Sequence, residues 1–274
     1  MSVTITAADI NKLRQATGAG MLDCRKALTE SNGDFEAAID WLRKQGQKVA
    51  AKRSDREAKE GVVIAQTTAD NKSGIVLCVS AETDFVSNNA EFVAFVKSIA
   101  DAAIVNNVNS AEELNEVVIN GAKVSDMIND KLAAIGEKIG ITRFEKITAP
   151  YVASYIHGAN RMGVLVALTK VAPEAGKDVA MQIAAMNPLA VDESSIAPET
   201  IAREKEIAIE QIKAEGKPAE MAEKIAVGKV NKFLKDNTLI HQPFVKDNGK
   251  SVADYLKSID ADLKVTEFKR VALG

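Results

Sequence analysis

Gly61-Val62-Val63-Ile64, the polar turn Asp70-Asn71-Lys72-Ser73-Gly74 and the run Ile75-Val76-Leu77-Cys78-Val79 make a phrase that the chain uses twice. It returns as Tyr151-Val152-Ala153-Ser154-Tyr155-Ile156, the turn His157-Gly158-Ala159-Asn160-Arg161 and Gly163-Val164-Leu165-Val166-Ala167-Leu168. Short β-branched runs on either side of an Asn- and Gly-containing turn predict β-hairpins. Helical spacing follows each: Phe92, Phe95, Val96, Ile99 and Ala103 predict a helix over 89–104, with Asn88 and Glu91 at capping spacing. Val179, Ile183 and Met186 repeat the pattern. An α+β fold with two related antiparallel hairpin/helix core subdomains is therefore expected. Between the copies, helices are predicted over 111–119 and 124–139, the first capped by Ser110 and Glu113, then a short strand Ile141-Thr142-Arg143-Phe144.

Outward from this core, the first 46 residues read as three short helices. Thr6 and Asp9 open the first at capping-box spacing, Gly18 and Gly20 separate it from the second, and Asn32-Gly33 and Asp34 mark the start of the third. So small a bundle buries little, and a loosely tethered docking module is expected. Residues 47–60 are charged and read as a linker or an exposed helical continuation; Lys48, Lys52, Arg53 and Arg56 are diluted by Asp55, Glu57 and Glu60, which favours a solvated face over a phosphate-binding one. Over 199–236, Ile201, Ala208 and Ile212 and then Met221, Ile225 and Phe233 lie on either side of Gly216-Lys217-Pro218. Proline disfavours one continuous helix, so two antiparallel helices projecting as a hairpin are predicted. The expected units are thus 1–54, 55–146, 147–198 completed by 237–274, and the arm 199–236.

Composition limits the function classes. The 274 residues are 46% hydrophobic and 27% charged, typical of a globular chain, and the net charge of −3 offers no field for holding a polyanion. The N-terminus lacks a basic start followed by an apolar stretch, and no apolar run reaches the ~18 residues of a membrane span. Cys24 and Cys78 sit in apolar runs as buried thiols, and a reducing, cytoplasmic setting is expected. His157 and His241 are far apart in sequence and have no metal-ligand spacing, so no metal is expected. Gly18-Ala19-Gly20 follows a helix and lacks the third glycine of a dinucleotide fingerprint, so no cofactor is expected either. The most unusual segment is Ser80-Ala81-Glu82-Thr83-Asp84-Phe85-Val86-Ser87-Asn88, which joins strand to helix in the first repeat; the second uses Lys170-Val171-Ala172-Pro173-Glu174. Two readings of Phe85 stay open: a staple folded back on the core, or an exposed anchor for a partner.

Thr17-Gly18-Ala19-Gly20-Met21-Leu22-Asp23-Cys24-Arg25-Lys26-Ala27-Leu28 resembles the N-terminal signature of the bacterial elongation factor Ts family. Thr83-Asp84-Phe85-Val86 is similar to its second signature, Tyr155-Ile156-His157-Gly158 with Arg161-Met162-Gly163-Val164-Leu165 to a third, and Gly216-Lys217-Pro218 through Gln242-Pro243-Phe244-Val245 to a fourth. The resemblance implies a guanine-nucleotide exchange factor, not an enzyme, acting on the translation GTPase elongation factor Tu in its GDP and nucleotide-free forms. By likeness the first module is similar to ubiquitin-associated domains, with Arg14, Met21 and Leu22 docking beside a GTPase helix. Asp84 and Phe85 enter between partner helices near its magnesium site, Thr83 and Val86 also bind the partner, Ile135 and Gly136 support the contact, and His157 faces a β-barrel domain. The arm matches the family's coiled coil, which leaves a homodimer or a two-to-two complex open; no nucleic acid or membrane contact is implied. Asn11 stands where the best-known bacterial pattern has Lys, so that polar contact is not carried over. Two other classes stay in view: an adaptor for ubiquitin-like proteins, resting on the three-helix start and the arm, and an α+β enzyme using Cys78 or a carboxylate pair.

Overall fold

The computed structural model describes residues 4–53, 55–216 and 218–274; Lys217 and the side chain of Lys52, both named above, fall outside the described part. Helix α1 (Ala7–Thr17) opens with the expected box, Thr6 N–H donating to Asp9 Oδ2 at 3.0 Å and Asp9 N–H to Thr6 Oγ1 at 3.2 Å. Gly18 closes it in the left-handed region at φ +70°. Gly20 is the extended cap of α2 (Met21–Glu30), so only one of the two glycines needs its conformational freedom. Asp34 then caps α3, receiving Ala37 N–H at 2.9 Å. Ile10, Leu13, Cys24, Ala27, Leu28, Ala38 and Leu42 are buried together between these helices. Helix α3 (Phe35–Arg53) continues past the expected end at 46, so the first part of the stretch read as a linker or a helical continuation is the continuation.

The first repeat comprises β1 (Glu60–Thr67), β2 (Ser73–Ala81), the single turn α4 (Asp84–Ser87), α5 (Ala90–Val105), α6 (Ala111–Glu116), a tiny hairpin β3 (Val118–Ile119) and β4 (Ala122–Lys123), α7 (Val124–Ile135) and β5 (Gly140–Thr148). The second comprises β6 (Tyr151–His157), β7 (Met162–Leu168) and α8 (Pro173–Met186), then the arm α9 (Pro198–Ala214) and α10 (Ala219–Asn237), then β8 (Pro243–Phe244), β9 (Asp247–Ser251), α11 (Val252–Ile259) and β10 (Val265–Ala272). Three expectations are corrected. Residues 118–119 turn into a hairpin rather than completing a helix, because Asn120 and Gly121 both take positive φ and reverse the chain. Asn89, not Asn88, caps α5, accepting Glu91 N–H at 2.8 Å. The strand expected at 141–144 spans 140–148, since its pairing with β2 runs from Gly140 to Thr148.

The sheets β1-β2-β5 and β6-β7-β10 have the same antiparallel order and pack face to face. Val63, Val76 and Cys78 meet Val152, Leu165 and Ala167 between them. The outer face of the first sheet is covered by α5 and α7 through Phe92, Ile99 and Leu132, that of the second by α8 and α11 through Val179, Ile183 and Leu256. The central strands are thus buried on both faces, which explains why β2 and β7 read as unbroken apolar runs. Close approach demands glycine at one equivalent place in each: a Cβ on Gly74 would stand 2.9 Å from Val152 Cγ1, and one on Gly163 2.9 Å from both Val63 Cγ1 and Val76 Cγ2.

The repeats are also fastened reciprocally. Val152 N–H donates to Asn71 O at 2.6 Å and Val63 N–H to Asn160 O at 2.7 Å, so the turn of each hairpin grips the first strand of the other. Both asparagines adopt the left-handed conformation, at φ +54° and +67°, which a short polar side chain tolerates. A bulge recurs as well: Thr142 in β5 and Thr266 in β10 are each skipped in the ladder with the central strand.

Helices α9 and α10 lie against each other through Ala208, Ile212, Ala222 and Ala226. They leave and rejoin the body at one neck, where Leu239 N–H donates to Ala190 O at 2.9 Å and Leu189 N–H to Asn237 O at 2.8 Å. The fully buried Gln182 of α8 holds the returning chain, donating to Pro243 O and accepting Val245 N–H at 2.8 Å.

Candidate functional site

Residues Ser80 and Gly140 are partners in the β2–β5 ladder, so the segment leaving β2 and the segment entering β5 share a corner of the molecule. The outgoing segment forms α4. Val86 and Ser87 are buried, while the neighbouring Phe85 is 87% exposed. Successive helical residues point about 100° apart, so anchoring Val86 throws Phe85 outwards. This closes the staple reading; Val86, expected among the partner-binding residues, is buried and holds the turn from inside. Asp84 is exposed at the start of the turn. On the incoming segment, α7 ends in a left-handed cap at Gly136, φ +79°, with no atom within 4 Å of where a Cβ would stand; Ile135 before it is 39% exposed. Thr83, Asp84, Phe85, Ile135 and Gly136 are thereby gathered at one corner.

Two carboxylates tie the corner together. Glu137 Oε2 accepts Glu82 N–H and Thr83 N–H, each at 3.1 Å, and Oε1 accepts the Thr83 hydroxyl at 2.7 Å. Glu82 reaches back, accepting Lys138 N–H at 2.6 Å, Arg53 Nη1 at 2.7 Å and Arg56 Nη1 at 3.1 Å. The Lys138 amide, and then the two guanidiniums, lower the Glu82 carboxyl from its usual 4.5 to about 2. Arg53 and Arg56, weighed above as phosphate contacts, are thus occupied within the chain. Sequence reading missed Glu82 and Glu137 as site residues, because nothing in either local pattern says which backbone amides they will meet.

The N-terminal module adjoins this corner. Helix α3 packs on α7 at Gly46, where a Cβ would come within 2.8 Å of Ala133 Cβ, and Arg43 lies 3.9 Å from Asp130. The module is therefore seated on the core, contrary to the loose tether expected of it, because α3 runs on into the body. A cleft of about 340 Å³ remains between module and α7, lined by Trp41, Leu42, Val49 and Asp130 among others. Cys24, Ala27 and Leu28 take the inner face of α2, leaving Met21 and Leu22 52% and 81% exposed, with Arg14 exposed on α1. His157 is exposed at the end of β6, its Nδ1 3.1 Å from Tyr155 Oη. It begins the turn carrying Arg161, which bonds to Glu60 at 2.7 Å. That bond first, and the nearby charge of Asp84 in addition, raise the Arg161 pKa. The three groups of expected residues therefore occupy three separate places, with the second repeat's turn beside Asp84.

Burial raises the pKa of both Cys24 and Cys78, and Cys78 Sγ lies 3.4 Å from Thr142 Oγ1. Neither histidine contacts them: His157 pairs with Tyr155, and His241 Nδ1 lies 2.9 Å from Thr238 Oγ1. Among the described residues no group of three His, Cys, Asp or Glu is placed to hold a metal, and no helix is long and apolar enough to cross a membrane.

The profile of a family described as "Elongation factor TS" matches residues 82–274. Proteins named elongation factor Ts are similar over nearly the whole chain. That of Flavobacterium psychrophilum is 52% identical across 99% of both chains, and that of Christiangramia forsetii 50% identical across 98% of this chain and 99% of its own. That of Methylococcus capsulatus is 43% identical, across 99% of this chain and 93% of its own.

Proposed function

Because the chain belongs to the elongation factor Ts family, we propose that it binds elongation factor Tu in its GDP and nucleotide-free forms and promotes GDP release, making and breaking no covalent bond. The observation that carries this reading is Phe85, a large ring left 87% in water on a turn whose neighbour Val86 is rooted in the core. An aromatic presented rigidly in this way is a surface built for insertion into a partner.

The free-energy argument is linkage. A factor that binds the nucleotide-free GTPase more tightly than the GDP form weakens GDP binding by the same ratio, about 1 to 3 kcal/mol for a typical coupling. Phe85 enters between partner helices behind the magnesium ligands, with Asp84 disturbing hydrogen bonds there and Ile135 and Gly136 completing the contact. Met21, Leu22 and Arg14 bind a second place on the partner from a module that works as a ubiquitin-associated-like unit, and His157 a third. Units 1–54, 55–146 and 147–198 with 237–274 carry these contacts in the cytoplasm. The arm 199–236 acts as a coiled coil, and its exposed Ile207, Met221 and Val227 favour contact with another chain, as a homodimer or a two-to-two complex.

The test is release of fluorescent GDP from elongation factor Tu of the same organism, chased with unlabelled nucleotide. Acceleration by substoichiometric amounts of this chain over many turnovers is expected; no acceleration by folded protein overturns the proposal.

A further inference from the structure

The turn that carries Phe85 has few supports of its own: the buried Val86, and the bonds of Ser87 and Asn88 back to Thr83 O and Asp84 O. Helix α4 has four residues, and its N-cap Thr83 makes no side-chain bond to the turn, because the hydroxyl is given to Glu137. So short a helix has no independent stability, since nucleation is costly and its first amides need acceptors. For the N-cap amide of Thr83 the acceptor comes from the other side of the corner. Glu137 takes the two amides immediately before the turn, and Glu82 returns the grip by accepting Lys138 N–H next to Glu137. The same Glu82 carboxylate is held by Arg53, the last residue of the helix that comes from the N-terminal module, and by Arg56 beyond it.

The second repeat provides an internal comparison. There the corresponding corner is closed by Lys170 Nζ, 2.7 Å from Asp260 and 3.4 Å from Asp262, and the following helix begins at Pro173 with no exposed aromatic. A carboxylate gripping backbone amides of the strand-to-helix segment accompanies the repeat that presents Phe85.

Resting on the exchange reading above, we propose that Glu137 and Glu82 are positioning residues, a crossed carboxylate brace that keeps the α4 turn formed in the free protein and so presents Phe85 ready for insertion. A turn that is formed only part of the time lowers apparent affinity by the fraction of molecules in the competent form, while the bound state at saturation is unchanged. Loss of the brace thus raises the concentration of this chain needed for half-maximal exchange and leaves the maximal rate intact.

The experiment compares wild type, Glu137→Ala, Glu137→Gln, Phe85→Ala and Phe85→Ala/Glu137→Ala in the GDP-release assay, across a titration of the factor. Glu137→Ala is expected to raise the half-saturating concentration about tenfold with an unchanged maximum, a loss in the range of typical coupling effects. Glu137→Gln is expected to restore most of it, since its amide oxygen accepts the two N–H groups and its NH₂ donates to the Thr83 hydroxyl. In the Phe85→Ala background, Glu137→Ala is expected to cost nothing further. Wild-type behaviour of Glu137→Ala, or an equal loss without Phe85, overturns the proposal. An independent measurement needs no partner: the Ser87 and Asn88 amides, bonded to Thr83 O and Asp84 O, are expected to exchange hydrogen at least fivefold faster in Glu137→Ala, and unchanged exchange overturns the brace. Should Glu137→Ala fail to fold, Thr83→Val removes one donor, with a two- to threefold effect expected on the same readouts. A wild-type chain that fails to accelerate release, with exchange at the turn still faster in Glu137→Ala, overturns the exchange reading and leaves the brace standing.

Discussion

Truncating Phe85 to alanine separates two quantities that usually fall together, stability and activity. With 87% of its surface already in water, the side chain contributes little to the fold, and unfolding free energy is expected to change by less than about 0.5 kcal/mol. Burial of a Phe side chain in a partner is worth about 1.5 to 3 kcal/mol. At about 1.4 kcal/mol per decade, its removal should lower the second-order rate constant for stimulated GDP release by roughly 10- to 150-fold. Stopped-flow release of fluorescent GDP gives that rate constant, and urea unfolding followed by circular dichroism gives the stability. Two results refute the reasoning: release within about threefold of wild type by a folded variant, or a stability loss above about 2 kcal/mol, which would mean that the ring is packed in solution.

Gly163→Ala places a methyl 2.9 Å from two valine methyls that are themselves fully buried, so overpacking of about 1 to 3 kcal/mol is expected. A fall in Tm of several degrees by calorimetry checks it. Gly228→Ala, with nothing within 4 Å of the new Cβ in α10, should instead raise stability by up to about 1 kcal/mol in urea unfolding. Glu82 has a folded pKa of about 2, below its ordinary 4.5, so its stabilising contribution is complete above about 4.5 and disappears as the pH falls through about 2. Unfolding measured across that window should fall less steeply for Glu82→Gln than for wild type. Cys24 and Cys78, buried and with raised pKa values, should resist a thiol reagent at neutral pH until denaturant is added, and rapid labelling of the native protein would contradict their placement.

Local rules carried the reading of this chain a long way. The twin hairpins were visible because β-branched runs and Asn- and Gly-containing turns recur in the same order, and the helix caps at Thr6, Asp34 and Ser110 are short-range effects written within four residues. The exposure of Phe85 was not legible: an aromatic at a helix start serves equally as staple or anchor, and the buried Val86 beside it decides between them. Nor was the brace. Glu82 and Glu137 meet only because β2 and β5 are neighbours, a pairing across more than fifty residues that no local pattern announces. The seating of α3 on α7 was hidden for a similar reason, since Gly46 inside a helix reads as a weakness until its partner Ala133 is known. At 118–119 the expected helix is overridden by Asn120 and Gly121, two turn residues that reverse the chain into a short hairpin.

The neck at Ala190 and Thr238 gives the arm a particular freedom. Chain that departs and returns at one hydrogen-bonded point is topologically an insertion, and lengthening a closed loop adds only about 0.6 kcal/mol of entropy per doubling. Residues 199–236 can accordingly grow, shrink or be exchanged over evolutionary time without shifting the register of either sheet. The Asn71 and Asn160 clasps have no such latitude: each carbonyl oxygen accepts an amide from the other half of the body, and a residue inserted in either turn would carry that oxygen off its partner.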